Sequence, residues 1–436
     1  MTVQAPPAAT TGWRRHHAAA SAGWSRAELL ALAAILGCGA LLRLGAVLAI
    51  PSPLVSDYAD YWSLANNLAA GRGLVTPEGQ PTAFFSLGYP IFLAPLLWVA
   101  GPSIAAVKAV NLLLGVASIL FAYLAARRLF ASRLVAALGA LLLALYIEAA
   151  VYTAYVAKEN LMVFLVMLQL VVSAHAAAAG RWRVLNPILF GAATGWLAVT
   201  GNAAMALMPG FALLVLLSHG RLGPTLRFGA IAGLVAAICI APMIWRNHVT
   251  FGGYGLNNNG GFNLYIGNNP NATPYFQGIT ETPIAPRWEA LRQELGERGV
   301  NQLLGELALR HMQEDPVATL RLAICKAAAF WEPPTHVGEG AGSAMEKLLR
   351  RLWLVQYLAI GALSVAGLAC LRRQRGPLLA LGLMLLGYTA VHMLFYVVYR
   401  YRLPVMPLLC LAGGLGAATL LAAVRDGWPR GRLRAR

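Results

Sequence analysis

Two carboxylates three residues apart, Asp57 and Asp60, stand in the stretch SDYADYWSLANNLAAGRGL (Ser56–Leu74), just past the first long apolar block of a chain with few charges. A carboxylate in such a place can accept a proton in a reaction or cap a helix. Tyr58, Tyr61, Leu64, Ala65 and Leu68 recur at helical spacing, so the stretch reads as a short amphipathic helix. Asp57 and Asp60 then lie one turn apart on a neighbouring face. Asp57 could cap that helix with Asp60 at its third position, an analogue of the capping box. Ser56 could equally be the cap and leave Asp57 free to act; spacing leaves both readings open. A second set of charges lies at the edges of apolar blocks: Lys158 beside Glu159, Arg246, Arg400 and Arg402. Interfacial cations commonly snorkel or anchor span ends. Glu159 can pair with Lys158 or line a site.

A membrane must position these residues. Of the 436 residues, 58% are hydrophobic and 12% charged, and the apolar ones come in long runs. The run Leu29–Ile50 carries one charge, Arg43, and is long enough to cross ~30 Å of hydrocarbon. It exceeds a signal-peptide core and many similar runs follow, so it reads as an uncleaved first span. A charge within it costs ~2.5–3.5 kcal/mol on insertion scales, so Arg43 needs a partner or a short reach to the interface. The net charge of +17 is dispersed in small clusters between apolar blocks, which excludes the one-faced footprint of a nucleic-acid binder. Five scattered cysteines without CxxC spacing imply no disulfide framework and identify no compartment. The eight histidines form no i, i+4 pair, which disfavours a metal site.

The fold class expected is an all-α polytopic membrane protein with about ten spans, near 29–50, 104–126, 134–151, 159–179, 187–200, 203–218, 228–245, 352–371, 377–398 and 403–424. A single helix over 186–218 would reach ~48 Å, so a turn is predicted at Thr200–Asn202. The segment Ser86–Gly101 contains Pro90 and Pro95 and reads as re-entrant or interfacial. With that threading Arg127, Arg128, Arg133, Arg181, Arg183, Arg221, Arg227, Arg372, Arg373 and Arg375 all fall on the inner side. The organisation expected is an inner tail (1–27), an N-terminal transmembrane module (28–245) with a first outer loop at 51–103, a large outer loop (246–351), C-terminal helices (352–424) and a basic inner tail (425–436). Within the large loop DPVATLRLAICKAAAFWEPP predicts a surface helix starting at Asp315 with Pro316 in first position.

The stretch DYADYWSLANNLAAGRGLVTPEGQPTAFFSLGYPIFLA resembles the first outer loop of the glycosyltransferase C superfamily, in particular the bacterial protein O-mannosyltransferase and lipid A aminoarabinose transferase type (glycosyltransferase family 39-like). VNLLLGVASILFAYLAARRLFASR, AKENLMVFLVM, APMIWRNHVTFGGYGLNNNGGFNLYIGNNPNATP and YRYRLPVMPLL resemble later segments of that family, in the same order.

The resemblance implies transfer of a sugar from a polyprenyl-phosphate donor to an acceptor hydroxyl on a lipid, glycan or protein, with inversion. It implies Asp57 as general base and Asp60, Lys158, Glu159, Arg246, Arg400 and Arg402 as substrate contacts. The site would face outward from a bacterial inner membrane. Relatives often carry a cation at the hinge where this chain reads VTGNAAM; Gly201 and Asn202 bring none. No cofactor is expected, although related oligosaccharyltransferases hold a divalent ion and Asp57 with Glu159 would be the donors for one here. The rival readings are a flippase or a non-catalytic binder of a lipid-linked sugar, and transporters favour ionisable groups at mid-membrane.

Overall fold

A computed structural model describes residues 23–334, 344–370 and 372–425. The expected inner tails therefore lie, for residues 1–22 and 426–436, outside the described residues, as do residues 335–343 of the large loop. Among the described residues the chain is helical, with two isolated bridges, Val75 to Pro81 and Tyr275 to Val397.

Seven helices are long and apolar enough to cross a membrane, and eight if the bent pair Arg133–Leu145 and Ile147–Ala154 forms one span. Two of the ten expected spans, near 159–179 and 187–200, do not pass this test of length and composition. Glu159–Ala174 has sixteen residues, a rise of ~24 Å. Trp182–Thr200 carries Arg183, Asn186 and Pro187 in its first two turns. Glu159–Ala174 is apolar all round because thirteen of its residues are buried, so protein rather than lipid surrounds it.

The order of elements is α1 (Arg26–Ala49), α2 (Asp57–Ala69), α3 (Gly88–Ala100), α4 (Ile104–Leu129), α5 (Arg133–Leu145), α6 (Ile147–Tyr152), α7 (Glu159–Ala174), α8 (Trp182–Thr200), α9 (Met208–His219), α10 (Leu222–Phe251), α11 (Gly260–Gly267), α12 (Trp288–Glu314), α13 (Pro316–Trp331), α14 (Ala344–Gly367), α15 (Arg375–Leu394) and α16 (Met406–Arg425). The thirteen residues of α3 are too few to cross, in keeping with a re-entrant or interfacial segment. The predicted turn follows α8 at Gly201 and continues as a 3₁₀ turn, Asn202–Leu207, before α9. Asp315 caps α13 by accepting from the Ala318 N–H at 2.8 Å, with Pro316 in first position.

Close helix contacts rest on small residues. A Cβ added at Gly414 of α16 would stand 2.5 Å from the Gly139 nitrogen of α5, so the two backbones touch only because both positions are glycine. Arg43 finds its partners in the α5–α6 bend. The helix breaks at Tyr146, and the Arg43 guanidinium donates to the carbonyls of Ala144 at 3.1 Å and Leu143 at 3.4 Å, and to Gly39 in its own helix. The bend exposes acceptors and the charge satisfies them.

Candidate active site

The first loop is carried by α2 and α3, which pack through Tyr61, whose ring meets Tyr89 edge-on at 6.0 Å. Tyr61, Leu64 and Ala65 are buried, as the helical spacing predicts. Ser56 occupies the cap position, but its side chain makes no capping bond, and Asp57 is the first helical residue rather than the cap. Ser56 has φ 49°, a conformation that a non-glycine residue rarely adopts. The strained entry aims the Asp57 carboxylate away from the helix N-terminus and toward Arg400. Arg400 Nη2 donates to Asp57 Oδ2, and Arg400 Nε lies 3.6 Å from Glu159 Oε1. Tyr58 lies under the same guanidinium, 5.5 Å from ring centre to Cζ. The Arg400 side chain sits on a 3₁₀ turn, Tyr399–Arg402, just ahead of α16, and Glu159 begins α7. Three elements from distant parts of the sequence thus converge on one cation.

A cavity of about 130 Å³ adjoins this group, walled by Lys158, Glu159, Asn263, His392, Tyr396 and Tyr401 among others. The Lys158 ammonium donates to Ser86 Oγ at 3.2 Å. Asn202, Asn257 and Asn259 also face the cavity, and the charge-free hinge, Gly201 to Ala203, forms part of its wall.

Asp60 is half-buried on the next turn. Burial, with the Asp57 and Glu78 carboxylates near, pushes its carboxyl up to about 6. The other two expected contacts stand apart from the cavity. Arg246 donates to the carbonyls of Thr82 at 2.8 Å and Leu74 at 3.0 Å, pinning the first loop to the end of α10. Arg402 is fully buried; its Nη1 donates to the Glu332 carbonyl at 2.5 Å, and its guanidinium lies over the rings of Tyr357 and Tyr399. Both guanidinium groups are engaged by the fold, in positions where the loop and α13 would otherwise leave carbonyls unpaired.

Sequence reasoning missed Glu297, whose Oε2 accepts from Thr82 Oγ1 at 2.6 Å and whose Oε1 accepts from the Ala83 N–H and Asn258 Nδ2. It clamps the first loop to the large one, and nothing in its local pattern, ELGERG, announces that. The asparagines did carry a signal, the dense NNNGGFN run. Among the described residues no three His, Cys, Asp or Glu side chains cluster to hold a metal. Asp57 and Glu159, the donors named above for a divalent ion, share the Arg400 guanidinium between them.

The sequence model of the dolichyl-phosphate-mannose-protein mannosyltransferase family matches residues 86–245. No curated protein matches the chain. Among solved structures, the archaeal oligosaccharyltransferase AglB from Archaeoglobus fulgidus, in complex with an inhibitory peptide and a dolichol-phosphate, is similar with a TM-score of 0.51 at 13% identity. The match covers 92% of this chain and 52% of that one, so this chain spans about half its length. The apo form of the Archaeoglobus fulgidus enzyme gives 0.50 at 13% identity, covering 91% and 52%. ArnT from Cupriavidus metallidurans, bound to undecaprenyl phosphate, gives 0.45 at 14% identity, covering 91% and 79%. The fold is similar to that of the membrane-embedded archaeal oligosaccharyltransferase, and the family model matches a little over a third of the chain. The matched residues run from the cavity-lining Ser86 through α3 into the last two turns of α10.

Proposed function

We propose that this chain is an integral membrane glycosyltransferase that takes a sugar from a polyprenyl-phosphate donor and places it on an acceptor hydroxyl at the outer face. The observation that carries the reading is the Asp57–Arg400–Glu159 bridge beside a cavity lined by a lysine, several asparagines and tyrosines. Amide side chains hydrogen-bond sugar hydroxyls, and aromatic rings cover the apolar face of a sugar ring. A polyprenyl-phosphate donor accords with the matched family's description and with the dolichol-phosphate held by AglB.

The chemistry follows from those parts. The acceptor oxygen attacks the anomeric carbon while Asp57 takes its proton. The bond from that carbon to the phosphate oxygen breaks, and its electron pair leaves with the phosphate. Attack opposite the leaving group inverts the centre. Arg400 and Lys158 meet the charge that collects on the phosphate, and phosphate needs no proton to depart. Arg400 therefore has two duties: it holds Asp57 before the donor arrives and faces the phosphate afterwards. Glu159 keeps the arginine in place during that exchange. Lys158 supplies the charge that the hinge lacks.

Purified protein incubated with a panel of polyprenyl-phosphate sugars and hydroxyl acceptors tests this by mass spectrometry. The expected result is consumption of one donor with transfer or slow hydrolysis. Binding of a donor without consumption would instead support the non-catalytic reading, which the charge-free hinge motivates.

A further inference from the structure

We propose a second binding site at the opposite end of the bundle, one that takes the phosphate headgroup of an anionic membrane lipid. Helix directions establish that it is opposite. Chain segments near Glu159, Thr200 and Phe251 lie at the Asp57 end, so the C-terminal end of α7, the start of α8, the end of α9 and the start of α10 meet at the other. Between them lies a cavity of about 520 Å³, fourfold the volume of the one beside Asp57.

Its polar lining is cationic. Arg183 and Arg227 both face it, both are exposed, and neither makes an ion pair or side-chain hydrogen bond within the described residues. No acidic side chain lines the cavity. His219 completes the polar wall; its Nδ1 is engaged by the Val215 carbonyl at 3.0 Å, which leaves Nε2 facing outward from that bond. The α10 helix begins here with no side-chain cap, and Gly223 of its first turn lines the wall beside Pro224, so the Gly223 N–H and the positive helix end face the same space. The remaining wall is apolar: Ala176 to Ala179, Pro187, Phe228 and Ile231.

Two unpartnered guanidinium groups over an apolar wall match a phosphodiester joined to acyl chains. A free anion would use the charge and leave the wall idle. Interface markers are present as well, since Trp182 is exposed beside the site with Arg181 over its ring at 5.4 Å. Basic pockets between transmembrane helices are suited to lipid headgroups. By the positive-inside argument this end faces the cytoplasm, where anionic lipid is met. The site is independent of the reaction proposed above and stands or falls without it.

The test titrates phosphatidylglycerol into the purified full-length protein in neutral detergent and reads bound lipid by native mass spectrometry. Arg183→Gln with Arg227→Gln is expected to weaken binding roughly thirtyfold. The matched control, Arg221→Gln with Arg373→Gln, removes the same charge from exposed residues of that end outside the cavity and should bind as the parent does. Phosphatidylcholine and inorganic phosphate should neither occupy the site nor displace phosphatidylglycerol. Equal loss in both double variants would reduce the effect to net charge and overturn the site, and displacement by inorganic phosphate would overturn the lipid assignment. Because the four arginines are exposed and make no ion pair within the described residues, a melting midpoint equal to the parent's is expected in each variant and keeps the comparison free of folding defects.

Discussion

Arg400 divides one guanidinium between Asp57, 343 residues away in sequence, and Glu159, with Nη2 bonded to the first and Nε 3.6 Å from the second. The Glu159 side chain is buried and Asp57 is partly open to solvent. Both carboxylates therefore depend on one cation that is itself mostly buried. Breaking a buried pair from one side leaves the other charge uncompensated, which costs more than the pair contributes.

Arg400→Gln should lower stability by about 3 kcal/mol or more, as expected for an uncompensated buried charge. Adding Glu159→Gln to that variant should restore part of the loss, because the orphaned charge is then gone. Thermal melts of the four proteins in a double-mutant cycle read the coupling directly. Simple additivity would mean that the bridge is not formed.

Lys158 and the two arginines outside the cavity should separate by phenotype. Lys158→Gln should raise the donor concentration needed for half-maximal turnover and leave the melting midpoint close to the parent's, since its ammonium gives up one bond, to Ser86. Arg402→Ala should do the reverse, with a stability loss of about 2 kcal/mol or more from freed carbonyls and two lost cation–π contacts. Arg246→Ala should loosen the first loop, seen as faster proteolysis between Leu74 and Thr82, where its guanidinium now holds both carbonyls. Donor affinity that tracks Arg402 and ignores Lys158 would contradict the placement of the phosphate.

Much of this architecture was legible in the chain itself. The apolar face of α2, the break at Thr200–Asn202 and the Asp315 start of α13 are local matters of spacing, chain length and capping, and they appear where those rules put them. What periodicity does not show at Glu159–Ala174 is its surroundings, since an apolar helix bathed in lipid reads the same as one packed in protein, and thirteen of its residues are buried. The nearness of Arg400 to Asp57 was not readable, since a charge at a span edge looks the same whether it anchors, snorkels or reaches a partner. Arg246 and Arg402 make the same point from the other side. Their types and positions suit phosphate, and the bonds that each makes to carbonyls of the fold are not visible in spacing.

Reporter fusions check the threading that the two cavities share. Fusions after Arg133, Arg183, Arg227 and Arg375 should read cytoplasmic, and fusions near Gly79 and Asn258 extracytoplasmic. The part of α10 that follows Arg227, as far as Phe251, separates it from Asn258 by a rise of ~36 Å, which must place those two fusions on opposite sides. A fusion after Arg133 that reads outside would make α3 a crossing element.

Asp60 should make stability depend on pH in a particular direction. Its folded carboxyl titrates at about 6 because burial and the Asp57 and Glu78 charges oppose ionisation, against ~3.9 when unfolded. Between those values the folded protein keeps a proton that the unfolded chain has released, so stability falls as pH rises through the window and the full penalty is present above it. Solvent reaches the half-exposed group and reduces the size of the effect. Asp60→Asn should therefore raise the melting midpoint above about pH 6.5 and leave it unchanged below about pH 4, measured in the same detergent. A shift of equal size at both ends of the range would place the origin elsewhere.

Asp57→Asn is the decisive substitution for the chemistry. Asn keeps the size of the side chain and an oxygen that can accept from Arg400, so the first loop should retain its place. Asp57 makes no capping bond to its helix, so the variant removes none. What it removes is a basic oxygen for the acceptor's proton. Turnover should fall roughly a hundredfold or more, the range that a positioned base contributes, while donor binding and the melting midpoint stay near those of the parent. Asp60→Asn, one turn along the same helix, carries the same chemical change and should be much milder. The comparison is made with the donor identified from the panel, by single-turnover transfer and by donor titration. A fully active Asp57→Asn protein would move the base to another residue, and Glu159, on the far side of Arg400, would be the next to substitute.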